Sequence, residues 1–235
     1  MTGSRVEVTG GADATVGVFA GHEAVSILSN SATCCADHIE EMMFPTSTWG
    51  TEYAIAHSKV RVDESDVLRI LARTAGTTVT ISSGATCPVL GAGEFCEIDI
   101  STAVEITSSE PVLIGHYLKS VAGGGMGIGD PSLAIAVPVE QYRSTYGFLA
   151  PAEYDEQYIS IVAQLGVSVT LDGTDISSQL TAMGSNGRGA ARVAIQPGQH
   201  QLDCAGGCGV EVYGYSSAVS YFFAAGLDLE QIVVD

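Results

Sequence analysis

Residues 67–84 read VLRILARTAGTTVTISSG. An apolar run, a glycine turn, a β-branched run and a Ser-Ser-Gly turn make two short strands with their punctuation. The same order returns at 158–173 as YISIVAQLGVSVTLDG. Residues 68–72 line up with 159–163, and residues 78–81 with 168–171. Further on, LGAGEFCEIDIS (90–101) is set against IQPGQHQLDC (195–204), with Gly93 opposite Gly198. SSEPVLIGHYL (108–118) is set against GCGVEVYGYS (207–216), with His116 and Tyr117 opposite Gly214 and Tyr215. Gaps fall in turns. A strand meander written twice predicts two stacked β-sandwich units.

Burial explains why each copy needs two layers. A strand such as EFCEIDI alternates polar and apolar residues, so its apolar face must be covered by a second sheet. The expected fold is therefore all-β: two tandem, related, jelly-roll-like β-sandwich units of about 90 residues each. The division is expected at 1–128 and 129–235, with the join inside the glycine-rich stretch 119–140. The first 60 residues lie outside the repeat and are expected to add edge strands and one short helix. That helix is expected over 37–43. Asp37 can cap it, Glu40 stands three residues on, and Ile39, Met42 and Met43 share a face.

The chain has 235 residues, is 46% hydrophobic and contains 28 glycines, which fits a packed core joined by tight turns. Formal net charge is -18, and Lys59 and Lys119 are the only lysines. A surface of that sign repels phosphate backbones, so no nucleic-acid partner is expected. No apolar run approaches the roughly 20 residues of a membrane helix, so no membrane insertion is expected. MTGSRVEVTGG (1–11) carries no apolar signal segment.

The six cysteines point to export. Cys87 and Cys96 flank PVLGAGEF, and Cys204 and Cys208 flank Ala-Gly-Gly at an expected hairpin tip. Both spacings suit local disulfides. Cys34 and Cys35 are adjacent, and each is a further disulfide candidate with a partner left open. The rival reading is zinc, but CxxxC has no second ligand pair of standard spacing after it.

Several stretches carry a resemblance: VFAGHEAV, CADHIEEMMFPTSTWGTEYAIAHS, GTTVTI, GAGEFCEIDI, PVLIGHYL, GDPSLAIAVPVEQY and RVAIQPGQHQL. Together they resemble the N-terminal domain of the IgG Fc-binding protein family, in a bacterial-type member, over about residues 16–225. The most specific segments are 35–53 and 129–142. The resemblance implies a secreted or cell-surface adhesion and recognition module without cofactor or chemistry. It transfers no ligand-binding residue and favours a packing role for Trp49.

Enzyme signatures are missing. There is no Gly-x-x-x-x-Gly-Lys, no Gly-x-Ser-x-Gly, no HxH and no HExxH. AGGGMGIG (122–129) reads as a loop. His22, His38, His57, His116 and His200 are scattered, so no catalytic residue and no metal ligand is assigned. DESD (63–66) and DGTD (172–175) gather carboxylates in turns, but neither matches an EF-hand loop. Asp172 and Gly173 read better as a hairpin turn. The expected function is a non-catalytic module binding a surface glycan or protein, with calcium as a candidate bridge and no cofactor. The competing expectation is a structural subunit that self-associates through strand edges into a filament, sheath or particle. There the terminal stretches 1–11 and 229–235 would extend a neighbour's sheet.

Overall fold

The computed structural model describes residues 2–11, 14–27, 35–120 and 127–232. Among them lie sixteen strands and three single turns of 3₁₀ helix. The strands are β1 (Phe19–Val25), β2 (Asp37–Met42), β3 (Gly50–Ile55), β4 (Asp66–Ala72), β5 (Val79–Ile81), β6 (Phe95–Ile100), β7 (Val104–Leu118) and β8 (Ser132–Ile135). They continue as β9 (Arg143–Ala150), β10 (Glu156–Gln164), β11 (Val169–Leu171), β12 (Thr174–Asp175), β13 (Thr181–Met183), β14 (Arg188–Ala194), β15 (Gly198–Ser216) and β16 (Val219–Ala224). The fold is all-β, with three separate sheets.

Two long strands organise it. The first half of β7 pairs with β3 and β5, and its second half pairs with β4 and β8. Pro111, which has no N–H to give a ladder, sits between the halves. The first half of β15 pairs with β9 and β11, and its second half with β10 and β16. Gly206 and Gly207, at φ of 87° and 88°, turn β15 between its halves. Each long strand so joins two layers, which close on a core of their own. One core gathers Leu68, Ile70 and Ile98 with Ile106 and Ile114. The other gathers Phe148, Ile159 and Ile161 with Leu202 and Val210. The period-2 burial of β4 and β6 matches their sequence alternation.

Each layered body opens on the same local device. PTSTWGTEY (45–53) and PVEQYRSTY (138–146) both run proline, 3₁₀ turn, aromatic, then tyrosine four residues on. The Tyr53 hydroxyl accepts from Gly50 N and donates to Val112 O, at 3.4 and 2.6 Å. The Tyr146 hydroxyl accepts from Arg143 N at 2.9 Å and donates to Cys208 O. A buried phenol thus satisfies backbone groups beside the middle of the long strand in both bodies.

Three expectations are corrected. Residues 37–43 do not form a helix: Asp37–Met42 is strand β2, paired antiparallel with β1. Its side chains alternate, with Asp37, Ile39 and Glu41 half-buried and His38, Glu40 and Met42 exposed. The pairing and burial available in the folded chain outweigh a helical pattern only one turn long. Residues 198–204 are not the counterpart of β6. They form the first half of β15, whereas β6 pairs with β4 and β14 pairs with β10. The Ala-Gly-Gly between Cys204 and Cys208 is a bend inside one strand, with a register shift against β9, and not a hairpin tip. Asp172 and Gly173 do form the expected two-residue hairpin, both with positive φ.

The β1–β2 hairpin packs its inner face on the β4–β7–β8 layer, where Ile39 meets Trp49, Leu113, Tyr117 and Leu133. Trp49 is a packing residue, 8% exposed, and its Nε1 donates to Phe44 O. Ile70→Ala and Ile161→Ala each empty a fully buried site in a different core. Each is expected to cost about 2–5 kcal/mol. Scanning calorimetry is expected to show one transition shifted down in both variants, because a buried seam couples the two bodies.

Candidate functional site

That seam is built from side chains that a lone sandwich would leave exposed. On β15, Val210 and Val212 point into their own core, so Glu211, Tyr213 and Tyr215 point the other way. They meet the end of the first body. The Lys59 N–H donates to the Tyr213 hydroxyl at 3.0 Å. Leu118 and Ala134 pack with Tyr213, Tyr215 and Phe222.

At its centre is His116, with no exposed surface. Its Nε2 lies 3.0 Å from Asp66 Oδ2, and its Nδ1 lies 3.1 Å from both oxygens of Glu211. Asp66 also accepts from Ser58 N and Ser58 Oγ, at 2.7 and 2.6 Å. Burial alone would drive the imidazole to its neutral form. The Glu211 charge and the Asp66 hydrogen bond outweigh it and lift the pKa to about 10. Burial would likewise raise Asp66, but its bond to His116 and the neighbouring charges hold it below the usual carboxylate range. His57 lies 3.9 Å from Asp66, and burial keeps it low and largely neutral.

Further polar clips tie distant parts of the chain together. Arg188 reaches Glu52 at 2.7 Å and Glu105 at 3.5 Å. Glu140 Oε1 accepts from Thr51 N, Thr51 Oγ1 and Glu52 N, at 2.8, 3.0 and 3.2 Å. The buried Gln141 amide gives and takes one bond each with the Glu230 backbone, at 2.7 and 2.9 Å. Ile232 N donates to Ser47 O at 2.8 Å. The described part of 229–235 is therefore bound to its own chain.

The sequence-predicted residues fall as follows. Cys87 bonds Cys96, and Cys204 bonds Cys208. Cys34 lies outside the described residues, and Cys35 is not a free thiol. His22 and His38 lie on the exposed hairpin, and His200 is held by Asp172 at 2.7 Å and stacked on Phe148. In 63–66, Glu64 pairs with Arg61, Ser65 bonds Asp99, and Asp66 belongs to the seam. In 172–175, Asp172 holds His200 and Gln201 N, and Asp175 holds Ser177. Among the described residues no group of three or more His, Cys, Asp or Glu is arranged to hold a metal. No helix among them is long and apolar enough to cross a membrane.

The hairpin is different. Phe19 and Met42 are cross-strand partners and are 60% and 54% exposed. They form an apolar pair on the outward face of an element whose inner face is anchored. Sequence reasoning missed this because it read 37–43 as a helix and left residues 19–25 unassigned.

A family model described as IgGFc binding protein matches residues 1–214. This chain belongs to that family. The match takes in the hairpin, the whole first body and the second body as far as the last residues of β15. It includes both Pro-x-x-x-aromatic-x-x-x-Tyr segments. No curated protein and no solved structure matches the chain.

His116 sets a pH dependence. Its folded pKa lies above the unfolded value of about 6.5, so its pairing contributes fully below that pH. The contribution is lost as pH rises through about 10. Thermal melts from pH 7 to 11 are expected to show an alkaline loss of stability that His116→Gln reduces. At neutral pH that variant leaves two carboxylates unpaired in the seam and is expected to lose about 3–5 kcal/mol.

Proposed function

We propose that this chain is a non-catalytic, extracellular recognition module that binds a protein ligand through the outward face of the β1–β2 hairpin. The observation that carries the reading is the exposed Phe19–Met42 pair. Large apolar side chains held outward on an anchored element are the usual form of a protein contact. Family membership supports a binding role, and the disulfides support a secreted or cell-surface setting. His116, Asp66 and Glu211 are engaged with one another inside the chain, which supports a structural role for them. We take the chain as a bacterial-type member, consistent with its strong acidity.

The tandem reading belongs to this proposal. The pairings of β4, β5 and β6 in the first body have counterparts in β10, β11 and β14 in the second. The division at 1–128 and 129–235 is proposed in a modified form. Because β8 pairs with β7, the passage from one unit to the next runs through 136–142. The hairpin packs on the first unit, and the buried seam ties that unit to the second.

A second reading, assembly through strand edges, has one observation in its favour: β1 pairs only with β2 among the described residues, so its outer edge is open. Within the described residues, 2–11 form no strand. The test is interferometry of the oxidised protein against IgG Fc, mucin and a glycan array, paired with light scattering from 1 to 100 µM (about these limits, to span typical interface affinities). Saturable binding of a protein ligand that falls at least about tenfold in Phe19→Asp, with an unchanged melting curve, is the expected result. Binding that ignores Phe19→Asp and Met42→Asp would overturn the hairpin surface. A blank on all three, with mass rising with concentration, would move the function to assembly.

A further inference from the structure

Asp130 stands between β7 and β8 and is 3% exposed, yet its Oδ1 has no hydrogen-bond partner. The side chain facing it is another carboxylate, Asp37, at the start of β2 and within hydrogen-bonding reach. Two ionised carboxylates only accept hydrogen bonds, so neither satisfies the other. Something positive must come between them, or one must keep a proton.

The remaining surroundings are oxygen-rich. Ser220 Oγ, on β16, accepts from Asp130 N at 2.8 Å and also lies beside the Asp130 carboxyl. The Tyr154 phenol is near enough to feel both aspartates, and it donates weakly to Ser220 O at 3.5 Å. Arg61 lies beside this segment, since a Cβ on Gly129 would meet its Nη1 at 2.3 Å. Arg61 is already committed to Glu64 at 2.7 Å and to the carbonyls of Lys119 and Ile128. It leaves the carboxylate pair uncompensated. The net charge of -18 favours a cation at any such gap.

We propose that Asp37 and Asp130, with the Ser220 hydroxyl and water, form a binding site for a single calcium ion that pins the N-terminal hairpin to both sandwich bodies. Carboxylate and hydroxyl oxygens in an irregular arrangement suit a large, hard cation better than magnesium, which demands a tight octahedron. With only two carboxylates the affinity belongs to the weak class of extracellular modules, on the order of 10⁻⁴–10⁻³ M. The ligands come from the hairpin, from the segment before β8 and from β16, so one ion would tie three elements. The site is independent of what the hairpin recognises.

The competing occupant is a shared proton. Burial, and then Asp37, push Asp130 up to about 7, and burial pushes Glu41, on the same strand as Asp37, up to about 7 as well. For both groups the folded pKa lies above the unfolded one, so the neutral form is favoured in the fold and stability rises as pH falls through about 7.

The experiment uses the full chain stripped with EDTA at pH 8, where a shared proton is least favoured. Calcium is titrated by calorimetry and by differential scanning fluorimetry, and terbium by luminescence sensitised through tyrosine. The expected result is one site, a Tm raised by roughly 3–5 °C at about 10 mM calcium, and terbium emission displaced by calcium. Asp37→Asn and Asp130→Asn remove the like-charge pair without changing shape. Both are expected to melt no lower than the calcium-free parent and to lose the calcium shift. Three outcomes overturn the proposal: no calcium or terbium binding to the parent chain at about 10 mM, equal binding in both variants, or stabilisation by acid alone. The titration of the parent chain decides the matter even if a variant misfolds.

Discussion

A protonated histidine held between two carboxylates at the centre of the molecule is the constraint on which the rest depends. His116 comes from the first body, as does Asp66, and Glu211 comes from the second. Desolvating an imidazolium costs several kcal/mol unless its partners arrive in the right place. Both carboxylates must therefore be delivered together, which fixes how β15 sits against β4 and β7. An apolar seam of similar area would tolerate sliding. This one accepts few registers, and the Arg188 and Glu140 clips around it narrow the choice further.

The long strands make this delivery possible. In β15 the residues of one parity, Val210 and Val212, fill the second core, while the other parity presents Glu211 and Tyr213 to the first body. One strand thus builds a sandwich and its interface at once. β10 is buried on both faces for the same reason, with Ile159 and Ile161 inward and Ser160 and Val162 toward the seam.

Much of the fold was legible because it rests on local pattern. The alignment of 68–72 with 159–163 puts three core positions of β4 over three of β10, and the structure buries all six. The middle of that alignment failed. Two alternating polar-apolar segments, 95–100 and 198–204, look alike whether they are a separate strand or half of a long one. Only the long-range pairing tells them apart. The Pro-x-x-x-aromatic-x-x-x-Tyr spacing at 45–53 and 138–146 was present in the sequence and went unread, because the first 60 residues were set outside the repeat. The hairpin was misread because Ile39 and Met43 face inward, a spacing of four that suits one helical turn as well as an alternating strand. The seam was not legible at all, since His116, Asp66 and Glu211 are far apart along the chain and carry no motif. The aspartate pair was hidden for the same reason: each residue has a bland local role, and the conflict exists only in three dimensions.

The C-terminal segment crosses back over both bodies. Its backbone is gripped by the Gln141 amide and by Ser47 O, and Asp228 pairs with Arg143 at 3.3 Å. A pull on this end would not peel β16 from its neighbour one bond at a time. It would load several bonds in parallel, on elements from each half, before the sheet felt any tension. The segment behaves as a strain relief, of the kind that protects a cable where it enters a plug.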